Sequence, residues 1–259
     1  TIKLLYQNLM DNQRQMTMES TTSLDFNIDD YSHAVDQIKK KYLDGSRTST
    51  GFSSLDQFFN GGLEPSREYI IAGTSGSGKS TLMTNMIARS ALAKNGPPRV
   101  NVKGLENKTD IKHVYVYVTM ENTADESLMR IYEDVMDVTE ADLLLMLKSG
   151  EINSDIMKEH INAKMRPNGA TIVMKYFPAL TISPVDIMGV LDEVISTYGK
   201  GTIAALYVDY LDLLTTDSPY DLYRMELAKI VLTLKSMAIS YNIPVVTATQ
   251  LNRGAYRVE

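Results

Sequence analysis

The sequence predicts an α/β fold in which a mostly parallel sheet is sandwiched by helices. Short runs of β-branched and aromatic residues alternate along the chain with segments whose apolar residues recur at helical spacing. Such alternation is typical of a parallel sheet that is covered on both faces. A glycine-rich loop joins the first strand to the first long helix of this pattern. With 259 residues, the chain can bury a core of the size that this fold needs.

The elements can be assigned in chain order from these patterns. Strands are predicted where β-branched and aromatic residues cluster, at 69–72, 113–119, 170–176, 203–208 and 244–248. Helices are predicted where apolar residues fall on one face, at about 82–91, 123–135, 141–165, 185–198 and 227–237. Thr123 with Glu126 matches a capping box, and Pro184 suits the first turn of the helix that follows it.

Three regions are predicted along the chain. Residues 1–28 are polar and show no sustained period, so we expect a tail or the remnant of an N-terminal domain. Residues 29–46 hold an amphipathic helix and a linker, and residues 47–259 form the core, which we expect to be truncated at its C-terminal end. From its pattern alone, the helix is equally suited to pack on its own domain or on a neighbouring subunit.

Composition excludes several classes of protein. The absence of cysteine excludes a disulfide scaffold and a cysteine-ligated zinc site, and it fits a reducing cytoplasm. We expect a soluble, intracellular protein with no membrane contact, because no apolar stretch is long enough to cross a bilayer. The formal net charge of −6 gives no overall electrostatic signal for nucleic acid, so any contact with DNA must come from local loops.

A phosphate-binding loop is the most specific motif in the chain. It comprises nine consecutive residues, Gly73, Thr74, Ser75, Gly76, Ser77, Gly78, Lys79, Ser80 and Thr81. The glycines let backbone N–H groups turn towards phosphates, while Lys79 supplies a positive charge and Ser80 a hydroxyl for Mg²⁺. The start of the next helix also favours an anion. We therefore predict a site for ATP, or another nucleoside triphosphate, together with Mg²⁺.

Three polar residues stand at the ends of predicted strands, where ligands bind in open α/β sheets. Asp209 is predicted to hold the water shell of Mg²⁺ opposite Ser80, although it could instead cap the turn that follows. Glu121 can orient the water that attacks the γ-phosphate, or it can be a solvated loop residue. Gln250 ends the fifth strand, where its side-chain amide can sense the γ-phosphate. A structural role, in a turn that satisfies the hydrogen bonds of the amide, explains this residue nearly as well.

Taken together, six segments resemble the ATPase domain of DnaB-type replicative helicases. They are the phosphate-binding loop and the runs 50–56 (TGFSSLD), 61–63 (GGL), 120–122 (MEN), 208–211 (VDYL) and 249–253 (TQLNR). They occur in the family's order over residues 29–253, and the combination is far more specific than any one motif. The resemblance implies a RecA-like P-loop NTPase core that forms a ring, usually a hexamer. It also implies NTP hydrolysis between subunits and 5′-to-3′ movement on single-stranded DNA.

The resemblance also assigns roles to individual residues. It implies that Lys79 and Ser80 bind phosphate and Mg²⁺, that Glu121 is the catalytic base, that Asp209 serves the metal and that Gln250 relays the state of the γ-phosphate. The amphipathic helix then corresponds to the family's linker helix, which packs on the adjacent protomer. Primase and a helicase loader are the implied partners. The implied location is the bacterial cytoplasm, or the host cytoplasm for a phage-encoded member.

The sequence departs from the family pattern in several places. Asp212 stands where members tend to have glutamine, and Ser80 replaces the commoner threonine. The family's main DNA-binding loop and trans-acting basic finger follow the strand of Gln250 and lie beyond this chain. Asn252, Arg253 and Arg257 would begin a DNA-facing loop, but ordinary loop polarity explains them as well. The family's amino-terminal domain is not recognisable.

Two other functions share parts of this pattern. A recombinase related to RecA or RadA, or a clock-type ATPase, has a similar phosphate-binding loop, and strand exchange without unwinding would favour it. A helicase-loading or assembly protein would use ATP as a switch with little turnover. Glu121 and Gln250 argue against a simple switch, because they suit hydrolysis and its relay.

Overall fold

A computed structural model describes residues 31–32, 35–36, 38–39, 47–95, 110–216 and 223–251. The chain divides into two units, Thr1–Lys41 and Tyr42–Glu259. Within the first unit, the described residues from Ser32 onward are helical, and the amide of Val35 donates to the carbonyl of Tyr31 at 2.8 Å. The side chains of Val35 and Ile38 are 44% and 56% exposed. This agrees with the helical pattern read from the sequence at these positions.

The second unit contains a five-stranded sheet in which every paired strand is parallel to its neighbour. The strands are β1 (Glu68–Gly73), β2 (His113–Thr119), β3 (Ala170–Tyr176), β4 (Ile203–Asp209) and β5 (Val245–Gln250). Their order across the sheet is β1-β5-β4-β2-β3. All five predicted strands are present, and the predicted parallel arrangement is confirmed.

Helices connect the strands and cover the sheet. They are α1 (Ser53–Phe58), α2 (Lys79–Leu92), α3 (Ala124–Met136), α4 (Glu140–Ser149), α5 (Ser154–Met165), α6 (Pro184–Tyr198) and α7 (Tyr223–Tyr241). The predicted capping box opens α3, where the amide of Thr123 donates to Glu126 Oε2 at 3.0 Å. Pro184 occupies the first turn of α6, as predicted.

Two elements differ from the sequence-based assignment. The short helix α1 was not predicted, and the helical region predicted at about 141–165 is divided into two helices, α4 and α5. Gly150 ends α4 in the left-handed conformation with φ 77°, and the Asn153 side chain caps α5 by accepting from two backbone amides. Ile152, between them, is buried in a small cluster with Tyr132 and Leu143. The connection is therefore anchored by an apolar contact instead of continuing as helix.

The core lies on both faces of the sheet, because the strands alternate buried side chains between two clusters. One cluster packs the even-numbered valines of β2 against α6 and α7. The other packs α2 against a row of tyrosines that includes Tyr115, Tyr117 and Tyr207. The strands β2 and β4 are buried along their whole length. The centre of the sheet is thus the most enclosed part of the unit. The candidate site lies at the edge of the sheet formed by the carboxyl ends of the strands.

The segment before β1 is attached to this sheet by specific hydrogen bonds. The Thr48 hydroxyl donates to the carbonyl of Ala204 in β4 at 2.9 Å, and both groups are buried. Thr48 also forms an isolated antiparallel bridge with Leu63. The Asp56 carboxylate accepts from the Thr50 amide and hydroxyl, each at 2.7 Å, and from the Ser49 hydroxyl at 2.5 Å. These contacts give the TGFSSLD run a structural role.

Candidate nucleotide-binding site

The phosphate-binding loop connects β1 to α2, and its three glycines are required for two different reasons. Gly76 and Gly78 have φ of 73° and 85°, in the left-handed region that favours glycine. Gly73 has no such torsion, but a Cβ there would come within 2.5 Å of Ser77 Oγ and 3.3 Å of Lys79 Cγ. A side chain at Gly73 would therefore fill the space inside the loop.

Lys79 is the first residue of α2 and folds back over the loop. Its Nζ donates to the carbonyl of Thr74 at 3.0 Å and lies 5.8 Å from the centre of the Tyr210 ring. The ammonium group thus bridges the loop and the segment that follows β4. An ammonium held here by a backbone carbonyl and an aromatic face lies where phosphates bind in loops of this type.

The Ser80 hydroxyl brings together the two carboxylates that the sequence singled out. Ser80 Oγ lies 2.8 Å from Glu121 Oε2 and 3.1 Å from Asp209 Oδ1. These three residues come from the start of α2, from the turn just after β2 and from the last position of β4. They meet because β2 and β4 are adjacent parallel strands whose carboxyl ends share one edge, with Thr119 beside Asp209.

Asp209 is fully buried, at 0% exposure, and this burial raises its pKa. Hydrogen bonds from Tyr117 and Ser80 act in the opposite direction, and the charge of Glu121 adds to the rise. A positive charge placed next to the carboxylates of Asp209 and Glu121 would therefore be stabilised.

The oxygen donors at this point fit Mg²⁺, which prefers hard oxygen ligands and retains several waters. Ser80 and the two carboxylates provide such oxygens, and a cation would offset the cost of burying Asp209. In the part of the chain that the structure describes, no group of three or more His, Cys, Asp or Glu residues could hold a metal by itself. Phosphate oxygens and water would have to complete the coordination shell.

Gln250 lies at the base of the loop, but its side chain is not joined to the two carboxylates. Its Cα pairs with Gly73 in the β1–β5 register, and the next amide, of Leu251, donates to the Gly73 carbonyl at 3.0 Å. The Gln250 side chain is exposed and makes no hydrogen bond to the other described residues. The predicted DNA-facing residues, Asn252, Arg253 and Arg257, lie outside the described residues.

Two residues of the site were not predicted. The hydroxyl of Tyr117, in β2, donates to Asp209 Oδ2 at 2.9 Å, inside the sheet. Asp212, noted in the sequence only as a departure, accepts at Oδ2 from the backbone amide of Gln250 at 3.2 Å. A tyrosine in a strand predicted to be buried needs a partner for its hydroxyl, so a signal for Tyr117 was present in the sequence.

A comparison with protein families identifies the family of the chain. Residues 48–258 match the model of the DnaB-like helicase C-terminal domain. The chain belongs to this family. The match extends from the bridge residue Thr48 through all five strands, and so includes the loop and both carboxylates.

Curated relatives of the chain include replicative DNA helicases. The chain is 27% identical over 224 residues to the replicative DNA helicase DnaB of Leifsonia xyli subsp. xyli, covering 85% of this chain and 43% of the relative. It is 26% identical over 234 residues to the DnaB of Mycoplasma genitalium, covering 88% of this chain and 45% of the relative. The chain thus spans less than half the length of these curated relatives.

Solved structures support the fold at lower sequence identity. A solved ATPase domain of another protein superposes with a TM-score of 0.63 and 16% identity, covering 90% of this chain and 75% of that one. A DnaB-like replicative helicase, described together with its interactions with primase, gives the same TM-score and identity over 100% of this chain and 56% of that one. The predicted RecA-like helicase fold is confirmed.

Among the described residues, no helix combines the length and the apolar content needed to span a bilayer.

Proposed function

We propose that this chain is the ATP-hydrolysing motor of a replicative DNA helicase. The observation that carries the proposal is the contact of one hydroxyl, Ser80, with both Glu121 and Asp209 beside the phosphate-binding loop. Phosphoryl transfer needs few covalent steps from the protein, so a positioned base, a metal ligand and a fixed positive charge are the parts required. We assign the base to Glu121, the metal ligands to Ser80 and Asp209, and the positive charge to Lys79.

Each side chain of the site has a separate role in the proposed hydrolysis of ATP. Lys79 neutralises charge on the phosphates, and the loop amides orient them. Glu121 orients the attacking water and accepts its proton, while Ser80 and Asp209 hold Mg²⁺, Asp209 partly through water. Mg²⁺ held by Ser80 and Asp209 would supply positive charge that offsets the charge developing in the transition state. Gln250 relays the state of the γ-phosphate to the segment after β5.

The proposal extends to assembly and partners. We infer a homo-oligomeric ring, a hexamer, in which a neighbouring subunit's cation completes each site and the helix within 29–46 packs on the adjacent protomer. The ring moves 5′-to-3′ along single-stranded DNA in the bacterial or host cytoplasm and unwinds the duplex. Asn252, Arg253 and Arg257 begin the DNA-facing loop, and primase and a loader act as partners. The support is family membership, together with the exposed apolar side chains of Val35 and Ile38.

The test compares Lys79→Ala and Glu121→Gln in the full-length protein. Both are expected to lower DNA-stimulated ATP hydrolysis at least about a hundredfold, because removing one preorganised electrostatic group typically costs that much. Glu121→Gln should still bind ATP, since the amide keeps the shape of the carboxylate. Matched controls are Lys158→Ala and Glu159→Gln, two exposed residues of α5. Hydrolysis near the wild-type rate in either site variant would contradict the proposed chemistry.

A second assay separates a helicase from the two alternatives. A forked duplex with a 5′ single-stranded tail should be unwound in an ATP-dependent way. Strand exchange without unwinding would identify a recombinase. Tight ATP binding without turnover would identify a switch protein.

A further inference from the structure

Tyr117 is placed to control the orientation of Asp209. It lies in the middle of β2, on the face that packs against α2, and its side chain is fully buried. Its hydroxyl donates to Asp209 Oδ2 at 2.9 Å. The two residues are on adjacent strands, since Tyr117 pairs with Tyr207 and Thr119 pairs with Asp209. The hydrogen bond therefore runs diagonally across the β2–β4 pair, beneath the carboxyl edge of the sheet.

The two oxygens of the Asp209 carboxylate have different partners. Oδ2 accepts from Tyr117, whereas Oδ1 faces the Ser80 hydroxyl at 3.1 Å. Because Asp209 is 0% exposed, bulk water cannot replace the tyrosine hydroxyl at Oδ2. The tyrosine thus fixes the rotation of the carboxylate and leaves Oδ1 as the oxygen that points towards the phosphate-binding loop.

The turn that carries Glu121 is built next to the same tyrosine. Thr119 Oγ1 donates to the carbonyl of Asn122 at 3.2 Å and accepts from the Asn122 amide at 3.3 Å. Thr119 lies two residues after Tyr117 in β2, so the two side chains are on the same face of the strand. Removal of the Tyr117 hydroxyl is therefore expected to change the orientation of Asp209 directly. Any effect on the position of Glu121 would pass through this turn.

A neighbouring tyrosine provides an internal control. Tyr207 has the same full burial, lies on the same face of the sheet and is the direct strand partner of Tyr117. Its hydroxyl contacts Ser90 Oγ at 3.2 Å, within α2 and away from both carboxylates. Removing either hydroxyl takes one polar atom from the same apolar layer. Of the two hydroxyls, the one on Tyr117 contacts a residue of the candidate site.

We propose that Tyr117 is a positioning residue that holds Asp209 in the rotamer needed for metal-dependent nucleotide binding. This inference rests on the proposed function, because it assigns Tyr117 a role towards the same Mg²⁺–nucleotide complex. Groups that orient a metal ligand commonly change metal affinity by about 10- to 100-fold when they are removed. Tyr117 thus acts through Asp209 and does not itself contact the nucleotide.

The experiment measures binding of a fluorescent ATP analogue to the full-length protein over a series of Mg²⁺ concentrations and in excess chelator. Tyr117→Phe is expected to raise the Mg²⁺ concentration at half-maximal binding by about tenfold or more, while binding in chelator stays at the wild-type level. Steady-state hydrolysis should show a matching loss at low Mg²⁺ that high Mg²⁺ restores. Tyr207→Phe should leave the Mg²⁺ dependence unchanged.

A double variant gives a second measurement. In an Asp209→Asn background, adding Tyr117→Phe should change the Mg²⁺ dependence little, because the pair is then already uncoupled. Equal Mg²⁺ dependence in wild type and Tyr117→Phe overturns the positioning role, as does an equal shift in Tyr117→Phe and Tyr207→Phe. If wild-type binding shows no Mg²⁺ dependence at all, the proposed function fails together with this inference. Circular dichroism confirms that each variant is folded.

Discussion

Glu68 provides a prediction whose sign and size follow from the structure. It opens β1, and its Oε1 is buried with no hydrogen-bond partner among the described residues. Burial raises the pKa of Glu68 from 4.5 to about 7, and the charge of Lys235 on α7 only partly counters this. The native state therefore binds this proton more tightly than the unfolded chain does. Stability should fall as pH rises from about 4.5 through 7.

The magnitude follows from the same values. The difference between a pKa of 4.5 and one of about 7 corresponds to roughly 3.4 kcal/mol at 1.36 kcal/mol per pH unit. Because Glu68 is only half-buried, solvent screening reduces this, and we expect about 1.5 kcal/mol. Glu68→Gln removes the titration. The variant's advantage over wild type in free energy of unfolding should therefore be about 1.5 kcal/mol larger at pH 8 than at pH 4.

Urea denaturation followed by far-ultraviolet circular dichroism at several pH values measures this directly. Lys235→Gln should enlarge the pH-dependent loss of stability, because the cation that favours the Glu68 carboxylate is then gone. Glu159→Gln, on the exposed surface of α5, serves as the matched control. A difference between Glu68→Gln and wild type that stays constant from pH 4 to pH 8 would refute the reasoning.

Two further predictions concern contacts outside the phosphate-binding loop. Asp56→Ala removes the acceptor of three hydrogen bonds in the segment before β1 and should lower the free energy of unfolding by about 2–3 kcal/mol, measured in urea. A loss below about 0.5 kcal/mol would show that these contacts are not stabilising. Asp212→Ala leaves the Gln250 amide without its acceptor and should speed exchange of that amide about fivefold by hydrogen-exchange measurements, a net hydrogen bond being worth about 1 kcal/mol. An unchanged exchange rate would contradict the assigned contact.

Much of the fold could be predicted from the sequence because its signals are local. The buried strands read as apolar runs, and the capping box at Thr123 and the proline at Pro184 mark helix starts by their own chemistry. The prediction of a helical region at about 141–165 did not specify the break between α4 and α5, because both sides of Gly150 keep helical spacing. Gly150 and the Asn153 cap end one helix and begin the next, and the burial of Ile152 against Tyr132, distant in sequence, fixes the connection between them.

In the candidate site, too, the features that local sequence patterns indicate could be predicted, whereas contacts between distant residues could not. Ser80, Glu121 and Asp209 could be grouped in advance, because each stands where a strand end or a helix start meets the carboxyl edge of a parallel sheet. Their catalytic and metal-binding roles stay predictions. Tyr117 could not be assigned, since its partner depends on β2 lying beside β4, and that order across the sheet is not the order along the chain. Local patterns establish that a residue is buried, but not which distant group it meets.

The attachment of Thr48 to β4 has a mechanical consequence. Its hydroxyl is fixed to Ala204, and Asp209 ends the same strand. Tension applied to the polypeptide upstream of Thr48 would reach the strand that carries this aspartate, and also the backbone at Leu63. The Thr48–Ala204 hydrogen bond therefore connects the segment before β1 to the strand that positions Asp209.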